Sequence, residues 1–434
     1  MNILHKLLAF FTRKIISKYR PVVIAITGSV GKTSAKEAIF AVVNEGRRVR
    51  TSPKNYNNEL GVPLTVIGAE AQGRNLFGWL GVFWKAFWLW MIRDKNYPEM
   101  LVLEYGADRP GDIEKLMKLV PAKIGVLTYV APAHIEFFKS IEGVAQEKSM
   151  IVSMLPADGF AILNRDNPYV LKARNSTEAR VFTYGFDEAS EVQALADSSY
   201  INWDQVTISS ENAGGVGSLI KIGSEEADLK IRGAFGGHSL YAGLAALAVA
   251  ECLGIDLKKA VAALVAFHPP AGRMHLVPGI KKTVIIDDTY NSSPDAAKRA
   301  LQTLAELQPE TSENKRIAIL GDMAELGHLS EGAHREVGLE VASLGIDLLV
   351  CVGDKSRATC HGAVEAGMAE NQVFEFRNQE EAGRFVQDRL VTGDLILIKG
   401  SQSSRMEYVT KELMANPLLA SSLLVRQDPE WQTQ

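Results

Sequence analysis

The chain has 434 residues, 47% hydrophobic and 23% charged, which is enough for two or three ordinary domains. A net charge of −4 gives no electrostatic reason to expect a nucleic-acid partner. Three cysteines, Cys252, Cys351 and Cys360, are too few and too scattered for a disulfide framework or a zinc site, which points to a reducing compartment, by default the cytoplasm.

Residues 1 to 20, MNILHKLLAFFTRKIISKYR, carry Lys6, Arg13, Lys14, Lys18 and Arg20 and no acid. Ile3, Leu7, Leu8, Phe11, Ile15 and Tyr19 recur at helical spacing, so a basic amphipathic helix is predicted. Its apolar stripe must be covered, by an anionic membrane surface or by the chain's own nucleotide domain. It is a poor signal peptide, because Lys6 interrupts the apolar part and no small-residue cleavage site follows. The run VVIAITG then predicts a buried strand, and AITGSVGKTSAKE turns it through Gly28 and Gly31 into a helix start. Unpaired backbone N–H groups and the helix dipole attract phosphate at such a turn. Lys32 adds a point charge for phosphate and Thr33 a hydroxyl for Mg²⁺. The spacing departs from G-x-x-x-x-G-K-[ST], since Ile26 stands where the first glycine would be.

The segment NLFGWLGVFWKAFWLWMIR, 75 to 93, holds four of the six tryptophans. It approaches the length of a membrane span, but Lys85 at its centre argues against crossing. A buried helix, a dimer contact and an interfacial anchor stay open. Beyond it, apolar runs alternate with helical patterns: MLVLEYG, IGVLTYV, FAILNRD, TVIIDDTYN, RIAILGDM, LLVCVGD and LILIKGS. That grammar predicts an α/β protein with mostly parallel sheets covered on both faces. Ligands gather at the carboxyl ends of such strands, where Glu104, Asn164, Asp166, Asp287, Asp288, Asp322 and Lys399 fall. Glu104, directly after Leu101-Val102-Leu103, suits a Mg²⁺ ligand. Residues 183 to about 232 break the pattern and predict an antiparallel insertion; 239 to 266 read as helical, and FHPPAGR (267 to 273) as the linker between domains.

Nine segments in order, among them ITGSVGKTS, KNYNNELGVP, LEYGADRPGDI, AQEKSMI, IDDTYNSSPD, LGDMAELG and KGSQSSRME, together resemble the Mur ligase family, nearest its MurF branch, over residues 21 to 415. The loop variant T-G-x-x-G-K-[ST] belongs to that family. After the basic helix (1–20), the resemblance implies a central P-loop ATPase domain (21–268) and a C-terminal Rossmann-like α/β domain (269–434). It implies that ATP phosphorylates a substrate carboxylate and that an amine displaces the phosphate to give an amide. By the resemblance, D-alanyl-D-alanine is added to a UDP-MurNAc-tripeptide-like carboxylate in peptidoglycan precursor synthesis. A ligase of this family acting on another carboxylate, or a catalytically inactive nucleotide-binding protein at a membrane, are the alternatives.

The resemblance also implies roles for residues. Gly28, Ser29, Gly31, Lys32, Thr33 and Ser34 hold the nucleotide, and Thr33 and Glu104 the first Mg²⁺. His134 and a carbamylated Lys148 hold a second Mg²⁺. Arg273 meets the phosphates, while Asp288 and Asn291, with Asp287 and Tyr290, belong to a loop over the nucleotide. Asn57, Asn58, Asp322, Glu325, Lys399, Ser401, Arg405 and Glu407 fall on the substrate side. Two departures stand out: Gly236-Gly237-His238-Ser239-Leu240-Tyr241-Ala242 lacks the two asparagines of the family's G-x-H-N-x-x-N helix start, and only some 26 residues precede Gly28, where the family carries a UDP-binding domain. The expected partners are small molecules, without nucleic acid and with peripheral membrane contact through 1–20 or 75–93; the location is the cytoplasm, at the inner face of a membrane. The sequence leaves the oligomeric state open.

Overall fold

In this computed structural model the described residues are 3–52, 56–132, 135–208, 210–427 and 431. The chain forms two compact units: 1–196 with 219–229 and 241–267, and 197–218 with 230–240 and 268–434.

The first unit begins with helix α1 (Ile3–Tyr19), which turns at Arg20 and Pro21 into strand β1 (Val22–Thr27). Helix α2 (Lys32–Val43), β2 (Val49–Thr51), α3 (Gly61–Ile67), α4 (Leu76–Met91), β3 (Met100–Glu104), α5 (Asp112–Leu119) and β4 (Ile124–Leu127) follow. The helix Ile141–Ser153 leads to β5 (Phe160–Asn164), β6 (Arg180–Gly185) and β7 (Val192–Ala194). Strands β7, β6, β5, β4, β1, β3 and β2 lie side by side in that order, all parallel. Branched and apolar residues fill them because both faces are covered: Val23 to Ile26, Leu101 to Leu103 and Ala161 to Leu163 are all buried.

Strands β8 (Ser198–Ile201), β9 (Gly214–Ile222) and β10 (Glu225–Arg232) come next. The end of β9 runs antiparallel to β7, and its start antiparallel to β8, so the expected antiparallel insertion is present, beginning one strand later than the sequence pattern suggests. Strand β6, which the insertion was expected to include, is parallel to β5. The predicted helical stretch is two helices, Gly237–Cys252 and Leu257–Val265, separated at Gly254, which takes φ +64°, and restarted by the Asp256 cap.

In the second unit, β11 (His275–Pro278) is antiparallel to β12 (Val284–Asp288). Strand β12 is joined in parallel by β16 (Leu395–Lys399), β13 (Arg316–Gly321), β14 (Leu348–Val352) and β15 (Val373–Phe376), in the spatial order β12-β16-β13-β14-β15. The open parallel sheet with helices packed on both faces matches the Rossmann-like expectation. The cysteine reading needs a correction. Cys351 on β14 and Cys360 on the helix Arg357–Glu365 form a disulfide, Cα atoms 6.5 Å apart, because the strand-to-helix return brings positions nine residues apart into contact. The cysteine count therefore gives no argument for a reducing compartment.

Helix α1 docks by one stripe, Leu8, Thr12 and Ile15, into the core of the first unit. Of the two surfaces proposed for its apolar face, the chain itself covers this one. Helix α4 is not buried all round: Trp79, Val82, Ala86 and Leu89 face inward, while its other side is exposed. Among the described residues no helix is long and apolar enough to cross a membrane.

Candidate active site

Strand β1 ends at Thr27, and its register beside β3 sets Ile26 opposite Glu104. Gly28 is required by close approach, since a Cβ there would fall 2.0 Å from Thr128 Oγ1. Gly31 takes φ +83°, a left-handed conformation that glycine adopts without penalty, and starts α2. The loop is pinned from outside: the Ser29 N–H donates to the Tyr129 carbonyl (2.6 Å), and the Ser29 hydroxyl to that of Ala131 (3.0 Å). Its conformation is thus fixed before any ligand arrives. The Lys32 ammonium lies over the loop, donating to the Gly28 carbonyl at 2.8 Å. Thr33 is in the first turn of α2, with Ser34 half-buried beside it.

Thr33 Oγ1 donates to Glu104 Oε2 at 2.9 Å, and the Asn57 amide donates to Glu104 Oε1 at 3.2 Å. The carboxylate is therefore oriented by both oxygens. Asn57 also accepts the Gly106 N–H at its carbonyl (2.7 Å), whereas Asn58 caps α3 by accepting the N–H groups of Leu60 and Gly61. A hydroxyl and a carboxylate so close offer two hard oxygen donors of the kind Mg²⁺ takes, and this ion draws its remaining ligands from phosphate and water. These residues fit that ion.

Lys148, on the helix Ile141–Ser153, is buried. Burial, followed by the nearby charge of Lys32, lowers its pKa to about 7, with Glu147, Asp108 and Glu104 opposing. Its neighbour Glu147 is committed elsewhere, accepting the N–H groups of Gly111 and Ile113 at 2.7 and 2.8 Å. Lys32, Glu104 and Lys148 thus share one electrostatic environment at the carboxyl edge of this sheet. His134 lies outside the described residues. Asp166, at the end of β5, accepts the N–H groups of Phe186 and Asp187 and the Tyr241 hydroxyl (2.7 Å). Tyr241, in the segment that lacks the family's asparagines, packs edge-on to Phe186.

In the second unit the strand ends are paired among themselves. Lys399 is buried and donates to Asp288 Oδ2 (2.6 Å) and to the Asn291 carbonyl (2.9 Å). Arg273 stacks on Tyr290 at 4.0 Å, and Asp288 Oδ1 accepts the Met274 N–H. Asp322 caps the turn after β14 by accepting from Lys355 and Ser356; its carbonyl takes the Ser401 N–H, and Ser401 Oγ accepts from Ala324. Glu325 is exposed with φ +62°. Glu407 is fully buried, paired with Arg405 (2.7 Å) and Arg426 (2.6 Å). Asp287 is buried with Oδ1 accepting from Thr289 and Thr410. Burial raises its pKa to about 7. Sequence reasoning missed Arg426, which also donates to the Thr289 and Tyr290 carbonyls; it belongs to no motif, and only the folded tail brings it there. It likewise missed Asp108, two residues into the loop after Tyr105-Gly106.

A buried strand, a glycine turn into a helix, a lysine and a hydroxyl backed by a strand-end carboxylate make the first unit a P-loop α/β domain. Residues 90–250 match the Mur ligase middle domain and residues 272–402 the "Mur ligase, glutamate ligase domain". The chain is 30% identical over 416 residues to the UDP-N-acetylmuramoyl-tripeptide–D-alanyl-D-alanine ligase of Mycobacterium tuberculosis, covering 92% of this chain and 74% of that one. It is 28% identical to the ligase of the same name from Bacillus subtilis, covering 91% and 76%. Among solved structures, MurF from Acinetobacter baumannii has a TM-score of 0.75 at 24% identity, covering 95% of this chain and 80% of that one. MurF ligase from Thermotoga maritima, solved in complex with ADP, has a TM-score of 0.75 at 24% identity, covering 94% and 83%. The chain belongs to the Mur ligase family.

Proposed function

We propose that this protein is an ATP-dependent ligase that joins D-alanyl-D-alanine to the peptide carboxylate of a UDP-N-acetylmuramoyl-tripeptide, a step of peptidoglycan precursor synthesis. We read residues 21–268 as its ATP-binding domain and 269–434 as its C-terminal Rossmann-like domain, and assign the reaction to the cytoplasm, at the inner face of a membrane. The observation that best supports the chemistry is Glu104 held by Thr33 and Asn57 in the electrostatic reach of Lys32 and Lys148.

Lys32 offsets the charge that develops on the phosphoryl oxygens as they transfer. Thr33 and Glu104 would hold one Mg²⁺, and Asn57 keeps the carboxylate turned toward it. A bound Mg²⁺ neutralises phosphate charge and polarises the transferring group. Lys148 is the residue whose environment is hardest to explain structurally. A buried ammonium beside Lys32 is unfavourable, and a pKa of about 7 leaves much of the amine neutral at physiological pH. A neutral amine can add CO₂: its nitrogen bonds to carbon, one proton leaves to solvent, and the carbamate carries a negative charge toward Lys32. That gives an oxygen ligand for a second Mg²⁺, with His134 as its other protein partner. The amine substrate and the C-terminal residues Arg273, Asp288, Asn291, Asp322, Glu325, Lys399, Ser401, Arg405 and Glu407 belong to the second unit in this reading.

The test is release of ADP and phosphate by purified protein with ATP and Mg²⁺. UDP-MurNAc-tripeptide plus D-Ala-D-Ala is compared with each alone. Release that needs both, with the pentapeptide seen by mass, is expected; release independent of the dipeptide would overturn the reading.

A further inference from the structure

Helices α1 and α4 pack side by side in the first unit. Phe10 meets Trp90 edge-on at 5.7 Å, Phe11 lies 6.2 Å from Phe83, and Lys18 Nζ donates to the carbonyls of Leu89 (2.9 Å) and Trp90 (2.8 Å). Their outer sides therefore form one surface. On α4, Phe77, Leu80, Trp84 and Trp88 follow one another at spacings of three and four, which puts them on one helical face. They are exposed by 85%, 64%, 65% and 51%. Leu7 and Phe10 of α1 add to the same surface, each more than two-fifths exposed. A helix apolar on both sides is ordinarily buried on both, and here the chain covers only one.

The two segments that form this surface carry charge of a single sign, with one exposed acid, Asp94, directly after them beside Tyr19. Segment 3–20 has five Lys or Arg residues and segment 74–93 has Arg74, Lys85 and Arg93; neither contains an acid. Lys6, Arg13, Lys14, Arg74, Lys85 and Arg93 are exposed. A second copy of the chain docking here by a two-fold axis would set a majority of cations against cations, with Asp94 at the edge too little to offset them. An anionic lipid surface supplies the missing countercharge, and tryptophan is the residue that favours the boundary between headgroups and acyl chains. Helix α4, at 16 residues, is about 24 Å long, short of the ~30 Å hydrocarbon core, so it lies in the interface plane. The Lys85 ammonium is held by the Gly68 carbonyl, so the cations left to meet headgroups on this face are Lys6, Arg13, Lys14, Arg74 and Arg93.

We propose that the α1–α4 face docks the protein onto an anionic phospholipid bilayer, with Phe77, Leu80, Trp84 and Trp88 entering the interface and the cations of both segments binding headgroup phosphates. This does not depend on the substrates assigned above: lipid binding and ligation are measured separately.

The experiment sediments the full chain with vesicles of phosphatidylcholine alone or with 30% phosphatidylglycerol, recording tryptophan emission and, without lipid, the mass in solution. Binding at least tenfold tighter to the anionic vesicles, weakened by salt and accompanied by a blue shift, is expected. Leu80→Asp/Trp84→Asp should reduce binding by tenfold or more, and Lys6→Glu/Arg13→Glu/Lys14→Glu should remove the preference for phosphatidylglycerol. Native circular dichroism in both variants keeps the comparison valid, since all five side chains are exposed. Absence of vesicle binding by the folded wild-type chain would overturn the proposal. So would equal binding to both vesicle types, or a dimer in solution that Trp84→Asp dissociates.

Discussion

The two parallel sheets present opposite electrostatics at their carboxyl edges. In the second unit Lys399 is ion-paired with Asp288, and Glu407 with Arg405 and Arg426. In the first, burial and then the charge of Lys32 drive the Lys148 amine toward its neutral form, against the pull of Glu147, Asp108 and Glu104. A self-paired edge keeps its own geometry, whereas a buried amine held off its usual charge state is open to chemistry that changes it. In the proposed reaction the first unit is where phosphate and metal charge would be accommodated.

The largest effect should come from removing the Lys32 charge that lies over the loop of the first unit. Lys32→Ala is expected to lower phosphate release by about a thousandfold or more, as loss of a charge aimed at the transferring group does, and near-normal turnover would remove the loop from the mechanism. Lys148→Ala should be inactive and partly restored by short-chain carboxylates supplied in solution. The companion variant Lys148→Met should unfold at a higher temperature than wild type at pH 7, because it removes a burial penalty. The sign follows from the pKa, about 7 folded against the ordinary 10.5 of a lysine: between those values the unfolded chain binds more protons, so wild-type stability rises with pH and Lys148→Met should flatten that rise. A lower melting temperature for Lys148→Met would show that the amine is not strained.

On the paired edge the expected losses are of stability. Glu407→Gln leaves two arginines beside a neutral group, one of them nearly buried, and breaking such a pair costs about 3–5 kcal/mol. Urea unfolding would measure it, and a change below about 1 kcal/mol, the value of an exposed pair, would erase the contrast between the edges. A further effect concerns Asp287, whose carboxyl burial pushes up to about 7 from the ordinary 3.8 of an aspartate. The folded form binds the extra proton between those values, so its contribution is lost as pH rises through 7. Asp287→Asn should therefore be neutral at pH 4 and stabilising at pH 8; equal effects at both would contradict the raised pKa.

Much of the phosphate edge was legible from residues adjacent in sequence. A strand, two glycines, Lys32, Thr33 and a helix are local features, and Glu104 follows its own apolar run, so the Thr33–Glu104 hydrogen bond fits the Mg²⁺ role read from order alone. What Asn57 does to Glu104 was not legible, because a turn residue and a strand end meet only when α3 and β3 pack in the same unit. The Cys351–Cys360 pair was misread for a similar reason: separation along the chain says little about a strand and the helix that folds back on it.

By itself the sequence determined the order of strands and helices, the position of the phosphate loop and the basic, acid-free character of the first helix, since these follow from periodicity, backbone chemistry and composition over short windows. Tertiary structure decided the rest. It buried Lys148 and so set its proton affinity, closed Arg426 over Glu407, and covered one side of α4 while leaving Trp84 and Trp88 in the open. Each of these depends on which distant segment excludes water from a side chain, and water exclusion is a property of the packed fold, not of any neighbour in sequence.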